Sequence, residues 1–165
     1  MVKIGSTILY GSQVCRVTDI RDCAFGKTVK NYYVLTPAFD EKNVIYVPSD
    51  NEALLAKMRK ILSADEIRAI IKNLPEKSTV WIEDDKLRAT EYKRIIDSGD
   101  REQIMIMIKT LFEKGQEKSA SGKKLHALDE ALLARAEKMI YEEFSLVLNI
   151  KKEDVIPFIA EQIEI

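Results

Sequence analysis

Trp81 is the only tryptophan of the chain, and it precedes a segment rich in cations. An aromatic ring beside lysines and arginines can enter a distorted DNA groove while the cations contact phosphates. The cations that we predict to make such contacts are Lys86, Arg88, Lys93, Arg94, Lys109, Lys123 and Lys124. The alternative is that Trp81 is a partly buried ring sealing a domain junction and that these charges are simply solvated. The residues alone leave both interpretations open.

Motifs of known catalytic sites are missing from the sequence, including phosphate-binding glycine loops, serine-nucleophile turns and HExxH. The acidic triplet Glu83-Asp84-Asp85 precedes a predicted helix, so we interpret it as attraction to the positive helix N-terminus rather than as a metal site. His126, the only histidine, lies at another predicted helix start and is interpreted as solvated. We therefore predict a protein that is not an enzyme, with no cofactor, no metal and no small-molecule substrate.

Composition is that of an ordinary globular protein, with 46% hydrophobic and 32% charged residues in 165 positions. The formal net charge is −1, but it is unevenly distributed. Residues 52–124 hold sixteen Lys and Arg against thirteen Asp and Glu, whereas residues 125–165 hold four against nine. A mildly basic middle region can therefore still bind DNA weakly.

Cys15 and Cys23 are the only cysteines, and no apolar leader segment precedes them. Together with the single histidine they cannot complete a closed zinc site. No apolar run approaches the length of a membrane span. These features predict a cytoplasmic protein with reduced thiols that does not associate with a membrane.

Runs of β-branched and aromatic residues predict that the first 50 residues form strands. The predicted strands are Thr7–Tyr10, Gln13–Ile20, Val29–Leu35 and Asn43–Val47. Their spacing indicates a small, strongly bent antiparallel sheet or barrel. Pro48 lacks a backbone donor, so the last strand should end there.

Helical periodicity dominates the rest of the chain, while residues 51–62 fit either a short helix or a return to the sheet. A capping box at Ser63–Glu66 should start a helix that reaches Leu74, and Gly99 should end another. The remaining predicted elements are helices at 86–98, 101–115 (capped by Asp100), 126–147 and from about 154 with Pro157 in its first turn, and a polar linker at 116–124.

Several motifs occur in an order that resembles the CarD/CdnL family of bacterial transcription regulators. They are KIGSTILYG at 3–11, VxxI at 17–20, YYVL at 32–35, VIYVPSDN at 44–51, Trp81 followed by Arg88 and Tyr92, and SGD at 98–100. The resemblance covers residues 2 to about 148. The N-terminal part of that family is shared with the RNA polymerase-interacting domain of the transcription-repair coupling factor.

The resemblance implies an α+β protein with a Tudor-like antiparallel β barrel at 1–55 and an all-α domain at 56–165. The barrel would bind the RNA polymerase β subunit through a strand edge. The residues implied in this contact are Arg21, Cys23, Val44, Ile45, Tyr46, Val47 and Pro48. The helical domain would contact promoter DNA at the upstream edge of the transcription bubble, where Trp81 would help to keep the bubble open.

The sequence departs from the family pattern at its two implied interfaces. Polymerase-facing arginines of family members align here with Cys23 and Tyr46, and the Trp81–Ser98 spacing is longer by about one helical turn. A second hypothesis is therefore a protein-interaction module that docks on polymerase or another partner through its β domain without DNA contact.

Overall fold

Alternating buried and exposed residues build the first part of the chain into one antiparallel sheet. The computed structural model describes residues 2–164. Its strands are β1 (Thr7–Tyr10), β2 (Gln13–Phe25), β3 (Thr28–Pro37), β4 (Ile45–Pro48) and β5 (Met58–Lys60), in the spatial order β4-β3-β2-β1-β5. The predicted end of the fourth strand at Pro48 is confirmed. A fifth strand, β5, follows it.

One face of this sheet forms the core of the N-terminal unit. Its buried residues are Ile8, Cys15, Val17, Leu35 and Val47. The β2–β3 register shifts between Val17 and Asp19, and such a bulge bends the sheet. The strands β4 and β5 do not pair with each other among residues 2–164, so the sheet is open there and closure into a barrel is not shown.

Residues 51–62 contain both of the structures that their sequence allowed. A one-turn helix, α1 (Glu52–Leu55), is followed by β5, which pairs with β1. The chain divides into two compact units between Ile61 and Leu62. This boundary is six residues later than the predicted one, which lay after residue 55. The reason is that β5 belongs to the sheet.

The second unit consists of helices, which confirms the α+β class. They are α2 (Ala64–Asn73), α3 (Asp85–Ser98), α4 (Arg101–Ala120), α5 (Ala127–Leu148) and α6 (Val155–Glu164). Their core is apolar, with Ile67, Ile71, Ile96, Ile104, Met107, Leu111, Met139, Ile140 and Phe144 fully buried. None of the helices among residues 2–164 has the length and apolar character that a membrane span needs.

Helix ends follow the predicted capping signals. Ser63 and Glu66 form the reciprocal capping box of α2. Gly99 ends α3 with φ 70°, in the left-handed region, and the Asp100 side chain then accepts from Gln103 N at the start of α4. One helix end was predicted wrongly, since α4 continues to Ala120 through the first half of the predicted linker.

Candidate functional site

Trp81 lies in the segment before α3, where Asp84 fixes the helix start by accepting a hydrogen bond of 2.9 Å from Leu87 N. The Trp81 side chain is half-buried. The guanidinium carbon of Arg88 lies 4.3 Å from the indole centroid. The ammonium groups of Lys114 and Lys118 lie 5.1 and 6.0 Å from it. One ring is therefore in cation–π contact with three side chains from two helices.

The Arg88 side chain is saturated by the protein and only 2% of the residue is exposed. Its N–H groups donate to Asp129 (2.8 and 2.8 Å), to Asp85 (2.7 Å) and to the carbonyl oxygens of Ile82 (2.9 Å) and Glu83 (3.4 Å). The bonds to Asp129, which is equally buried, are the main reason that the pKa of Arg88 is raised. A guanidinium has five N–H groups, and all are used here. The prediction that Arg88 contacts phosphates is therefore wrong for this structure.

The burial of Arg88 follows from its position on α3. Arg88, Tyr92 and Ile96 are spaced four residues apart and are all buried, so they lie along one face of the helix. This spacing is visible in the sequence and could have predicted that Arg88 is buried. Its partner Asp129 is 41 residues away on α5, which the spacing alone does not reveal.

The other predicted cations of α3 remain at the surface. Lys86 and Lys93 are exposed and, being seven residues apart, lie on the same side of the helix. Arg94 is exposed too, but its guanidinium is held by Glu91 through bonds of 2.9 and 2.5 Å. This face therefore keeps Lys86 and Lys93 as exposed cations, while Arg94 is paired.

Lys109 serves the fold rather than a ligand. Its ammonium group donates to the carbonyl oxygens of Leu74 (3.2 Å), Pro75 (3.3 Å) and Lys77 (3.0 Å), just after α2. Lysines stabilise helix ends by bonding their last carbonyl groups. All three donors of this ammonium are used, which contradicts its prediction as a phosphate contact.

A concave basic surface lies where α4 ends and α5 begins. It is an open cleft with a volume of about 580 Å³, and we call it the lysine cleft. Its lining residues are Lys114, Glu117, Lys118, Ser121, Lys123, Lys124 and His126. Gly122 makes the tight turn that brings the two helix ends together, with φ 71° in the left-handed region. The cleft therefore gathers four ammonium groups around one cavity.

Positive charge in the lysine cleft is only partly balanced. Lys114 lies 3.4 Å from Glu117, and His126 Nδ1 lies 3.5 Å from Asp85. The ammonium groups of Lys123 and Lys124 make no hydrogen bond or ion pair within residues 2–164, and both side chains are exposed. Uncompensated cations in a concave surface raise the local concentration of anions.

The structure thus unites only part of the predicted DNA-contacting set. Lys123 and Lys124 line the lysine cleft, and Trp81 contacts two of its lysines, Lys114 and Lys118. Neither of these two was predicted. Lys114 lay inside the predicted helix but was not assigned to the site, and Lys118 lay in the predicted linker, because the helix was expected to end at about residue 115. Their four-residue spacing is the signal that was overlooked, since it places both on one face of a continuing helix.

The residues implied in polymerase binding surround the edge strand β4, which pairs only with β3 among residues 2–164. Val47 is fully buried, and Ile45 packs against the same core. The Val47 side chain therefore faces the interior and is not exposed for a partner, and the implied polymerase contact of β4 stays a prediction. Tyr46 points to the other side of the sheet and is 37% exposed.

Tyr46 belongs to an aromatic cluster on the outer face of the sheet. Its ring contacts Phe25 and Tyr32 edge-on, with centroids 5.2 and 6.2 Å apart. Phe25 and Tyr32 contact each other in the same way at 5.1 Å. Arg21 Nη2 donates to the Tyr46 hydroxyl at 3.5 Å, and hydrogen bonds with Cys23 and Tyr46 raise the pKa of Arg21. Arg21, Cys23 and Tyr46 therefore do share one surface.

The backbone of β4 also leaves groups open at the edge. Ser49 N donates to Asn31 O at 3.0 Å, which marks Ser49 and Asn31 as a hydrogen-bonded pair. Since such pairs alternate along an antiparallel ladder, Val47 turns its backbone groups to β3, and Tyr46 turns its N–H and C=O outward. These outward groups are what an added strand would pair with.

No group of three or more His, Cys, Asp or Glu side chains suited to a metal ion occurs among residues 2–164. Comparison of the chain with known protein families found no matching family, and comparison with curated proteins found no match. The resemblance to the CarD/CdnL regulators therefore stays a prediction from the residues that carry it.

Proposed function

We propose that this protein is a bacterial, cytoplasmic transcription regulator that docks on the RNA polymerase β subunit and contacts promoter DNA. The N-terminal unit would be a Tudor-like domain, and the helical unit would contact the upstream edge of the bubble and stabilise the open complex. The observation that carries the DNA contact is the lysine cleft beside Trp81. This function needs no cofactor and no catalytic residue.

The lysine cleft supports DNA contact through its local charge. The net charge of −1 gives the whole chain no attraction for DNA. Affinity for nucleic acid depends instead on how many phosphates local cations neutralise, with release of counterions. Lys118, Lys123 and Lys124 provide three such cations in one cavity. Binding to DNA alone would be weak, and docking on polymerase would raise the local DNA concentration.

The edge of β4 supports docking on a protein partner. Added strands gain affinity from main-chain bonds and specificity from alternate side chains. Tyr46 offers both, because its backbone groups and its ring are available at the same position. Clusters of aromatic residues with an arginine are also typical of strong interface contacts.

A second candidate is a protein-interaction module that uses the β4 edge without DNA contact. The position of Arg88 favours it, because a residue that the resemblance places near DNA is an internal anchor here. The half-burial of Trp81 favours it too, since a ring held against three cations does not project from the surface as a wedge.

Salt dependence of DNA binding separates the two candidates. Binding of the full chain to fork-junction DNA should weaken steeply with salt, and Lys123→Ala should reduce the log–log slope by about 0.9 for a lost duplex phosphate contact. Lys72→Ala, at an exposed lysine of α2 outside the predicted contact set, is the matched control and should leave the slope unchanged. Equal slopes for all three proteins would remove the lysine cleft as a DNA contact and favour the docking module.

Docking is tested by Tyr46→Glu, which places a charge beside Phe25 and Tyr32 at the open edge. Pull-down of the polymerase β subunit by the full chain should weaken by about 1–3 kcal/mol, as for central interface residues. Ile4→Glu is the control, because Ile4 is an exposed apolar residue outside the cluster. Unchanged capture by folded Tyr46→Glu protein would show that β4 is not the docking edge.

A further inference from the structure

Trp81 and the lysine cleft share two side chains and so form one site. Lys114 and Lys118 line the cleft, and their ammonium groups also lie 5.1 and 6.0 Å from the Trp81 ring. We propose that this site binds single-stranded nucleic acid, with phosphates in the lysine cleft and one unpaired base stacked on Trp81. The inference rests on the proposed DNA contact and specifies the state of the strand that is bound.

The cations in contact with the ring differ in burial. Arg88 is buried and fixed by its hydrogen bonds, so its contact with the ring is part of the fold. Lys114 and Lys118 are half-buried residues on flexible stems at the end of α4. The lysines can therefore leave the ring while Arg88 remains in place.

An incoming phosphate gives the lysines a better partner than the ring. A hydrogen bond between ammonium and phosphate is charge-assisted, whereas the contact of a partly exposed ammonium with an indole is weak. Phosphates in the lysine cleft should therefore draw Lys114 and Lys118 away from Trp81. The uncovered part of the ring is then available to an apolar, flat partner such as a nucleobase.

Half-burial of Trp81 decides in favour of a single strand. A ring that is seated against the protein cannot push between the stacked pairs of a closed duplex, but it can receive a base that is already unpaired. Cationic grooves with an aromatic platform are a common design of single-strand binding sites. The cavity of about 580 Å³ is also in the range that holds a ligand of nucleotide size.

Intrinsic fluorescence tests the proposal, because Trp81 is the only tryptophan. The probe is a short oligothymidylate, titrated into the full chain and compared with the same length of duplex. The single strand should change Trp81 emission saturably and bind more tightly than the duplex. Pyrophosphate, which carries phosphates but no base, should alter emission by moving the lysines, and it should compete with the oligonucleotide.

Variants locate the two halves of the site. Lys118→Ala should reduce the log–log salt slope for the single strand by about 0.7, the value for one phosphate contact. Trp81→Ala should weaken binding of a dye-labelled oligothymidylate by about 5- to 150-fold, the effect of losing one stacked base. Trp81→Phe keeps an aromatic ring and should lose much less affinity for the oligothymidylate than Trp81→Ala does. Lys72→Ala, at an exposed lysine of α2 outside the site, should match the wild type, and thermal unfolding of each variant shows that it is folded.

The outcomes separate this inference from the proposed function. Duplex binding that depends on Lys123, without any single-strand response of Trp81, would overturn the inference and leave the proposed function standing. Equal single-strand affinity of Lys118→Ala and Lys72→Ala would also overturn it. Absence of binding to either form of DNA would overturn both the inference and the proposed DNA contact. The protein-interaction module would then be the remaining hypothesis.

Discussion

Two groups of cations surround Trp81, and they differ in what satisfies them. Arg88, on the inner side, directs its whole guanidinium to Asp129, Asp85 and two carbonyl groups. Among the lysines of the cleft, Lys114 and Lys118 contact the ring, and Lys114 also lies 3.4 Å from Glu117. Lys123 and Lys124 have no side-chain partner within residues 2–164. The positive charge of Arg88 thus stabilises the fold, whereas the positive charge of the cleft lysines is available for a ligand.

The chemistry of the two side chains explains this division. The planar guanidinium of Arg88 matches the Asp129 carboxylate with two parallel bonds, and this geometry suits a buried pair. A lysine ammonium is strongly hydrated and mobile, so it remains at the surface and can exchange partners. The number of satisfied donors therefore tells a structural cation from a binding one better than proximity to an aromatic ring does.

The strongest test of the comparison is Asp129→Ala. Removing one partner of a buried pair leaves an uncompensated charge, and the free energy of unfolding should fall by about 3–5 kcal/mol. Lys123→Ala should change it by no more than about 0.5 kcal/mol, as for ordinary surface positions. Urea unfolding monitored by circular dichroism measures both.

The double variant Arg88→Met/Asp129→Leu is the control, because it removes both charges of the buried pair and leaves no uncompensated charge. Replacing both members of a buried pair by apolar groups often costs little, so this protein should be more stable than Asp129→Ala. A loss as small for Asp129→Ala as for Lys123→Ala would mean that the inner and outer cations do not differ in role.

An intermediate effect is expected for Trp81→Ala. The indole is half-buried and stacked on Arg88, so the unfolding free energy should fall by about 1–3 kcal/mol, less than the roughly 3–5 kcal/mol of a fully buried aromatic residue. Thermal unfolding of the variant against the wild type is the measurement. A loss of unfolding free energy above that range would show that the ring is a core residue, with a structural role like that of Arg88.

The smallest expected effect concerns pH and Asp85, which connects the two groups. The Arg88 hydrogen bond, with smaller contributions from His126 and Lys118, holds the pKa of Asp85 below its ordinary value of 3.8. Because the folded-state pKa is the lower one, the stabilisation is present above pH 3.8 and is lost as the pH falls through the lowered value. Asp85→Asn should therefore unfold with a weaker pH dependence below 3.8.

A carboxyl chemical-shift titration of Asp85 checks the direction independently. Its midpoint should lie below 3.8 in the wild type and should move upward in Arg88→Met. A midpoint at or above 3.8 in the folded wild-type protein would show that Asp85 is not paired with Arg88 in solution.

Local signals in the sequence were sufficient for most of the secondary structure. Ser63 with Glu66, Gly99 and Asp100 fixed helix ends because capping depends on residues within one turn of each other. Pro48 ended its strand for the same local reason, the missing backbone donor. The end of α4 was missed because polar, small residues at 116–120 have no strong breaker among them, and a helix already begun extends readily.

The sequence by itself determined the strand-rich first part, the helical second part, the caps and the excess of cations near Trp81. Only the tertiary structure decided which of those cations have partners. Arg88 and Asp129 are 41 residues apart, and packing of α3 against α5 brings them together. Lys123 and Lys124 lie just after a turn, and their ammonium groups form no ion pair within residues 2–164. Pairing between distant residues is set by how helices pack, and neither composition nor local periodicity encodes it.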